Sequence, residues 1–209
     1  MLKKIFDKNK WEKVIAFQTR NPMHKAHVNM TLDALKELNA KLLIHPVVGE
    51  TKPGDIDYFT RVRCYKLILD EYAQNTSMLS LLPLSMRMAG PREALWHSLI
   101  RQNYGCTHFI IGRDMAGCKS SSTGEDFYGP YDAQNFANEC AEELMMQTVP
   151  SKNLVYTKEK GYITAEEAQE NDYKIMKLSG TEFRKKLRDG DPIPEWFAFK
   201  SVVDVLRKS

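Results

Sequence analysis

Val14-Ile15-Ala16-Phe17-Gln18-Thr19-Arg20-Asn21-Pro22-Met23-His24-Lys25-Ala26-His27 runs from an apolar stretch into a cluster of two imidazoles, a guanidinium and two amides. Val14–Phe17 has no polar alternation, the pattern of a strand buried on both faces of a parallel sheet. From about His24 to Leu38, Ala26, Met30, Ala34 and Leu38 recur at helical spacing. The polar cluster is therefore a strand-to-helix turn, with Pro22 expected at the helix opening. In open parallel sheets ligands bind beyond the carboxyl ends of the strands, where free helix N–H groups and a partial positive charge meet anions. A nucleoside triphosphate suits such a turn. His24 and His27, three residues apart on the opening turn, share one face and can grip one group together. Imidazole N–H donors there would stabilise the charge that grows on a departing pyrophosphate. A zinc site is one alternative, but it would need a third ligand and usually His-Glu-x-x-His spacing, and no such set is present. Two surface histidines beside a turn are the other alternative, against which Gln18, Arg20 and Asn21 weigh.

Outward from this turn, apolar runs alternate with helical patterns. Leu42–Val48, Leu79–Leu84, Phe109–Ile111 and Leu154–Tyr156 are further strand candidates, giving a five-stranded parallel sheet in a doubly wound α/β fold. The segments from about Asp57 to Ala73, Pro91 to Asn103 and Asp132 to Gln147 read as helices, Gly105 closing the second. Residues 164–209 are expected to hold two or three short helices, the last from about Pro194 to Leu206, as a cap beside the sheet. A chain of 209 residues that is 43% apolar can bury one sizeable core, so one domain is expected. The net charge of +3 is small and the basic residues are dispersed, which argues against a nucleic-acid partner. No apolar run reaches the length of a membrane span, and Met-Leu-Lys-Lys-Ile-Phe-Asp-Lys lacks a signal-peptide core, so a cytoplasmic protein is expected. Cys64, Cys106, Cys118 and Cys140 show no metal-type pairing and read as reduced, structural thiols.

Three further features carry candidate residues. Gly112-Arg113-Asp114-Met115-Ala116-Gly117 follows a strand, and glycines there let main-chain atoms approach a ligand closely; a plain glycine turn is the alternative. His97 lies i, i+4 from Glu93, the spacing of a helix-surface ion pair. Ser179-Gly180-Thr181-x-x-Arg184 reads either as a phosphate-binding turn or as a helix cap, Thr181 being ordinary capping chemistry.

Phe17–His27 resembles the glutamine-x-arginine-asparagine-proline and His-x-x-His signature of the ATP sulfurylases, the sulfate adenylyltransferases that make adenylyl sulfate from ATP and sulfate. Three later blocks look like that family's catalytic domain, in its order: Met86–His97, Gly105–Gly117 and Asp126–Gln134. The resemblance covers about residues 11 to 209 and includes Leu178–Arg184 and a helix start at Ile193–Phe197. It implies a Rossmann-like nucleotidylyltransferase fold, with a catalytic domain over 1–163 and a helical cap of the same domain over 164–209. It also implies site roles. Gln18, Arg20 and the Ala116 N–H would bind sulfate. Thr19 and Asn21 would hold the α- and β-phosphates, and His24 and His27 the leaving group. Gln18, Thr19, Arg20, Asn21, Gly112, Arg113, Asp114, Met115 and Leu154 would line the nucleotide, although Leu154 also reads as simple core. His97 would back the phosphate site, with Thr181 and Arg184 as further phosphate contacts. The family usually has His or Pro where this chain has Met115, so the backbone is the expected contact there.

The implied reaction is in-line attack of a sulfate oxygen on the α-phosphorus, releasing pyrophosphate without a covalent intermediate. Sulfate is already a dianion, so positioning and charge stabilisation suffice. A pocket offering only donors would reject protonated phosphate by roughly 1–3 kcal/mol. Magnesium would arrive with ATP, since no carboxylate cage is present. The structural zinc of many bacterial relatives is not expected, because residues 141–178 contain no Cys or His. The family's usual N-terminal domain is also missing from the sequence, as for a catalytic domain standing alone or cut from something larger. Adenylyl sulfate formation is strongly uphill, and an adenylyl-sulfate kinase domain or subunit, or a pyrophosphatase, would pull it forward. Homo-oligomers are the family's habit. The readings left open are a nucleotidylyltransferase of this fold with another acceptor, a non-catalytic nucleotide-binding homologue, and the same enzyme working toward ATP.

Overall fold

The computed structural model describes residues 1–50 and 56–209. Its centre is a parallel sheet of β1 (Val14–Phe17), β2 (Lys41–Ile44), β3 (Ser77–Leu79), β4 (His108–Ile111) and β5 (Gln147–Pro150) in the order β3-β2-β1-β4-β5. All four pairings are parallel, with Ala16 beside Leu43 on one side and beside Phe109 on the other. Successive strand residues point to opposite faces, and both faces are apolar. Val14, Ala16, Leu43, Phe109 and Ile111 enter one cluster, with α1 (Leu2–Lys8), α4 (Gly90–Tyr104) and α5 (Asp132–Glu139) packed against it. Ile15, Phe17, Leu42, Ile44 and Ile110 enter the other, beneath α2 (Lys25–Leu38), α3 (Tyr58–Ile68) and α8 (Lys200–Leu206). The five-stranded parallel sheet with helices on both faces is thus as the sequence predicts.

Several boundaries differ, each for a local reason. The fifth strand is β5, not Leu154–Tyr156. The latter lies in β6 (Leu154–Thr157), which joins β7 (Gly161–Thr164) and β8 (Ile175–Met176) in a separate antiparallel sheet, order β7-β6-β8. Gln147–Pro150 is more polar than β6 and partly exposed, as an edge strand can be, so hydrophobicity alone selected the wrong run. The strand expected over 79–84 is regular only over Ser77–Leu79, although a parallel bridge between Val47 and Leu82 continues the ladder beyond it. Pro46 and Pro83 lack the N–H groups a regular ladder needs.

Pro22 does not open α2; the helix starts at Lys25 with His24 as N-cap, in extended conformation. Asn39 closes α2 in the left-handed region, as Gly105 closes α4. In α2, Val28, Thr31, Ala34 and Leu35 are buried, while Ala26 and Met30 face the ligand cleft described below. The long helix expected over 132–147 ends at Glu139. The segment 164–209 carries three helices, α6 (Ala165–Glu170), α7 (Gly180–Asp189) and α8, together with β8. The last helix begins at Lys200 rather than Pro194, and Val202 and Leu206 bury it in the sheet's second face. All four cysteines are free, with Cys64 and Cys106 buried.

Candidate active site

The strand order reverses direction between β1 and β4: β2 and β3 follow β1 outward on one side, β4 and β5 lie on the other. A crevice forms at the carboxyl ends of strands at such a switch point. Here it is a cleft of ≈ 350 Å³ walled by Phe17–Asn21, His24 and His27 from the first turn and by Gly112–Ala116 from the loop after β4. Gln18, Thr19, Arg20, Asn21, Gly112, Arg113, Asp114, Met115, Ala116 and Leu154 all line it, so the two sequence blocks meet although some ninety residues separate them.

The first wall is tied from behind by α3. Asp57 caps that helix by accepting the Thr60 N–H at 3.0 Å. Along the buried face, the Arg61 guanidinium donates to the carbonyls of Arg20 and Val47 at 3.2 and 3.4 Å. The Tyr65 hydroxyl lies 3.3 Å from the Thr19 carbonyl and 3.0 Å from that of Asn21. Thr19 Oγ1 accepts the Asn21 N–H at 3.1 Å, closing the turn on itself. With its carbonyls held behind, the turn offers its side chains to the cleft. Tyr65→Phe should lower stability by about 1 kcal/mol, a Tm loss of roughly 2–4 °C, because the hydroxyl shared by the buried Thr19 carbonyl and the part-buried Asn21 carbonyl is lost. Thermal melting of the variant checks this, and an unchanged Tm would contradict it.

His24 and His27 sit with ring centroids 3.9 Å apart, His24 also stacking on Phe197 at 4.9 Å. The His24 main-chain N–H donates to His27 Nδ1 at 3.3 Å, which leaves the His27 proton on Nε2. His24 Nδ1 is buried with no partner among the described residues. Burial lowers the His24 pKa to about 4, and burial, then the charge of His24, takes His27 well below its ordinary value. His45, beneath the site, is lowered to about 3 by burial, then by Arg101 and His97. The unliganded site thus holds neutral imidazoles at neutral pH.

The unfolded chain takes up protons at these histidines as pH falls through 6.5, whereas the folded chain resists until about 4 for His24. Their contribution is therefore present above pH 6.5 and is lost toward pH 4, at about 1.4 kcal/mol per unit for each group. Melting the ligand-free protein across this range should show Tm falling with pH; a level Tm would contradict the burial of neutral histidines.

The second wall is anchored nearly residue by residue. The Ile111 carbonyl accepts from Gln134 Nε2 at 2.9 Å, and the Arg113 N–H donates to Ser151 Oγ at 3.2 Å. The Asp114 N–H donates to the Pro130 carbonyl at 2.8 Å, the Gly117 N–H to that of Asp114 at 3.1 Å, and the Gly90 N–H to that of Ala116 at 3.0 Å. Asp114 and Ala116 hold φ of 56° and 55°, left-handed values that cost a non-glycine residue energy and persist only under such anchoring. At Gly112 a Cβ would meet nothing within 4 Å, so its missing side chain leaves open cleft beside the main chain.

Other sequence candidates lie elsewhere. The His97 side chain is fully buried and lines neither this cleft nor its neighbour, so the expected surface ion pair with Glu93 is an interior one, Nε2 to Oε1 at 3.4 Å. Glu93, His97 and Arg101, at i, i+4 and i+8 of α4, turn inward because Arg101 binds the His45 carbonyl at 3.0 Å and lies over the Phe109 ring. Arg184 lines an adjoining, more apolar chamber of ≈ 790 Å³ that shares Asn21, His24, His27 and Leu154 with the first. Thr181 lines neither chamber. The cap of α7 is Ser179, in a reciprocal box with Glu182, and not Thr181.

Met86, Ser151, Lys152 and Asn153 also line the cleft and were not legible in the sequence. The last three follow β5, so correct placement of that strand would have put them at a carboxyl end. Lys152 is paired with Glu37. Among the described residues, no group of three His, Cys, Asp or Glu could hold a metal ion, and no helix is long and apolar enough to cross a membrane.

The chain has relatives among known proteins. The chain is 53% identical over 208 residues to a sulfate adenylyltransferase of Schizosaccharomyces pombe, covering 100% of this chain and 42% of that one. To the sulfate adenylyltransferase of Saccharomyces cerevisiae it is 51% identical over 205 residues, covering 98% and 40%. Among solved structures, the hexameric APS kinase from Thiobacillus denitrificans superposes with a TM-score of 0.81 at 30% identity, over 99% of this chain and 38% of that one. The chain therefore spans about two fifths of the length of these relatives. The ATP-sulfurylase family pattern matches residues 1–209, end to end, and with the site and these identities in hand the chain belongs to the ATP sulfurylase family.

Proposed function

We propose that this chain carries the adenylyl-transfer site of a sulfate adenylyltransferase, moving AMP from ATP to sulfate and releasing pyrophosphate. The observation that carries the proposal is the meeting of the Gln18–His27 and Gly112–Ala116 walls across the β1/β4 switch point in one cleft. The Arg20 guanidinium, the Gln18 amide and the Ala116 N–H bind sulfate. Thr19 and Asn21 hold the α- and β-phosphates, and the loop from Gly112 to Met115, with Leu154, lines the nucleoside. His24 and His27 face the departing pyrophosphate. A neutral imidazole keeps one N–H donor, which suffices to meet an oxyanion. Attack is in line and needs no protein nucleophile; catalysis consists of positioning two anions and compensating their charge.

Among the described residues the cleft lining contains one carboxylate, Asp114, and Arg113 Nε lies 3.1 Å from it. Magnesium bound to the ATP phosphates would supply charge neutralisation on the leaving group, with Asp114 as the carboxylate of the cleft nearest to hand. Residues 1–163 form the catalytic domain and 164–209 its cap. We place the chain in the cytoplasm, whose reducing conditions suit four free cysteines. An adenylyl-sulfate kinase, in the same chain or another, consumes the product, and assembly is as a homo-oligomer. The similarity to a hexameric APS kinase supports both.

The test is ATP formation from adenylyl sulfate and pyrophosphate, the downhill direction. The proposal expects ATP only when both are present with magnesium. Binding of adenylyl sulfate without ATP formation would instead favour a non-catalytic homologue.

A further inference from the structure

We propose that Glu93 is a positioning residue that sets the anion-binding edge of the cleft from beneath. The proposal rests on the functional reading above, in which Gln18 and the Ala116 N–H bind sulfate. Glu93 is 2% exposed and lines neither chamber. Its two carboxylate oxygens accept the main-chain N–H groups of Arg87 and Ala89, at 2.8 and 2.9 Å, and His97 Nε2 lies 3.4 Å from the first.

These bonds fold residues 86–90 into a tight loop with two left-handed positions, Met88 at φ 56° and Gly90 at φ 51°. Both ends of the loop reach the site. At one end Met86 lines the cleft, its Sδ 3.7 Å from Gln18 Nε2. At the other, the Gly90 N–H donates to the Ala116 carbonyl, and the aromatic ring of Tyr128 closes over Gly90 so tightly that a Cβ would fall 2.5 Å from it. One buried carboxylate thus fixes a loop that touches the Gln18 amide and, through the Ala116 carbonyl, the residue whose N–H is assigned to the anion.

A carboxylate is the side chain this position requires. Each of the two oxygens accepts a main-chain N–H, so an amide nitrogen in place of either oxygen would face a donor. Burial alone would raise the Glu93 pKa, yet the hydrogen bonds from His97, Ala89 and Arg87 hold it below the ordinary value. His97, with a pKa lowered chiefly by burial, stays neutral and sets Nε2 beside the same carboxylate. This accounts for a histidine at i, i+4 that has no place in the cleft itself.

The test compares wild type with Glu93→Gln and Glu93→Asp, the second keeping the charge but shortening the reach. The expected result in both is a KM for sulfate raised about tenfold with the KM for ATP within twofold. Amide exchange at Gly90 is read in the same proteins and should accelerate about tenfold, whether or not the chain turns over sulfate. Failure of both variants to fold, a parallel rise in both KM values, or unchanged exchange at Gly90 would overturn the proposal and leave Glu93 as general support for α4. A wild-type chain inactive with sulfate, but with exchange at Gly90 faster in the variants, would sink the functional reading and leave the positioning role standing.

Discussion

Replacing His24 by alanine is expected to lower kcat about 10²- to 10³-fold in either direction of adenylyl transfer, with a much smaller change in the KM for ATP. That size is typical for removing one preorganised donor from developing oxyanion charge. His24 fits the part because it lines the cleft and its ring is clamped between His27 and Phe197. A donor held this way costs no reorganisation when charge appears. The ground state offers it less charge to meet, so the loss should fall on kcat rather than on ATP binding. Pre-steady-state measurement of the chemical step checks the assignment. A KM-only effect would place His24 in nucleotide binding instead.

Arg20→Ala should raise the KM for sulfate about 10- to 150-fold, the range expected for a hydrogen bond to a charged group worth roughly 1.5–3 kcal/mol. The main chain of Arg20 is held from behind by Arg61, so truncating the side chain should leave the turn in place. Arg20→Lys should recover only part of the loss, because an ammonium keeps the charge but not the planar fork. Steady-state kinetics with sulfate varied at saturating ATP measure both variants. Equal KM values for wild type and Arg20→Ala would remove Arg20 from the anion site.

The sequence made the centre of this molecule readable and its periphery much less so. Val14–Phe17 and Phe109–Ile111 are short, wholly apolar and bounded by polar or glycine-containing turns, so strand, burial and carboxyl-end loop follow from one pattern. The two walls of the cleft lie in those loops, and both blocks are continuous in sequence. Gln147–Pro150 gave no such signal. It is an edge strand with polar residues, and misplacing it hid Ser151, Lys152 and Asn153. Of the antiparallel sheet only Leu154–Tyr156 reads as a strand; β7 and β8 draw their stability from tertiary packing, such as that of Tyr162 against Tyr156 at 5.2 Å.

Polar residues gave the least reliable guidance. Glu93, His97 and Arg101 have the spacing of an exposed salt-bridged stripe, and only the packing of α4 against β4 and His45 reveals that the stripe faces inward. Arg61 and Tyr65 looked like ordinary helix residues, yet they hold the carbonyls of the Thr19–Asn21 turn from behind. Roles of this kind depend on what a carbonyl some forty residues away needs, which no local pattern records.

The most direct test of the account is pyrophosphate release from ATP and magnesium, with sulfate or molybdate as acceptor, in wild type and His24→Ala. Molybdate removes the unfavourable equilibrium, because its adenylyl anhydride hydrolyses at once. The account predicts release that requires either anion and collapses in the variant. Wild-type protein that binds ATP but releases no pyrophosphate in response to either anion would contradict it.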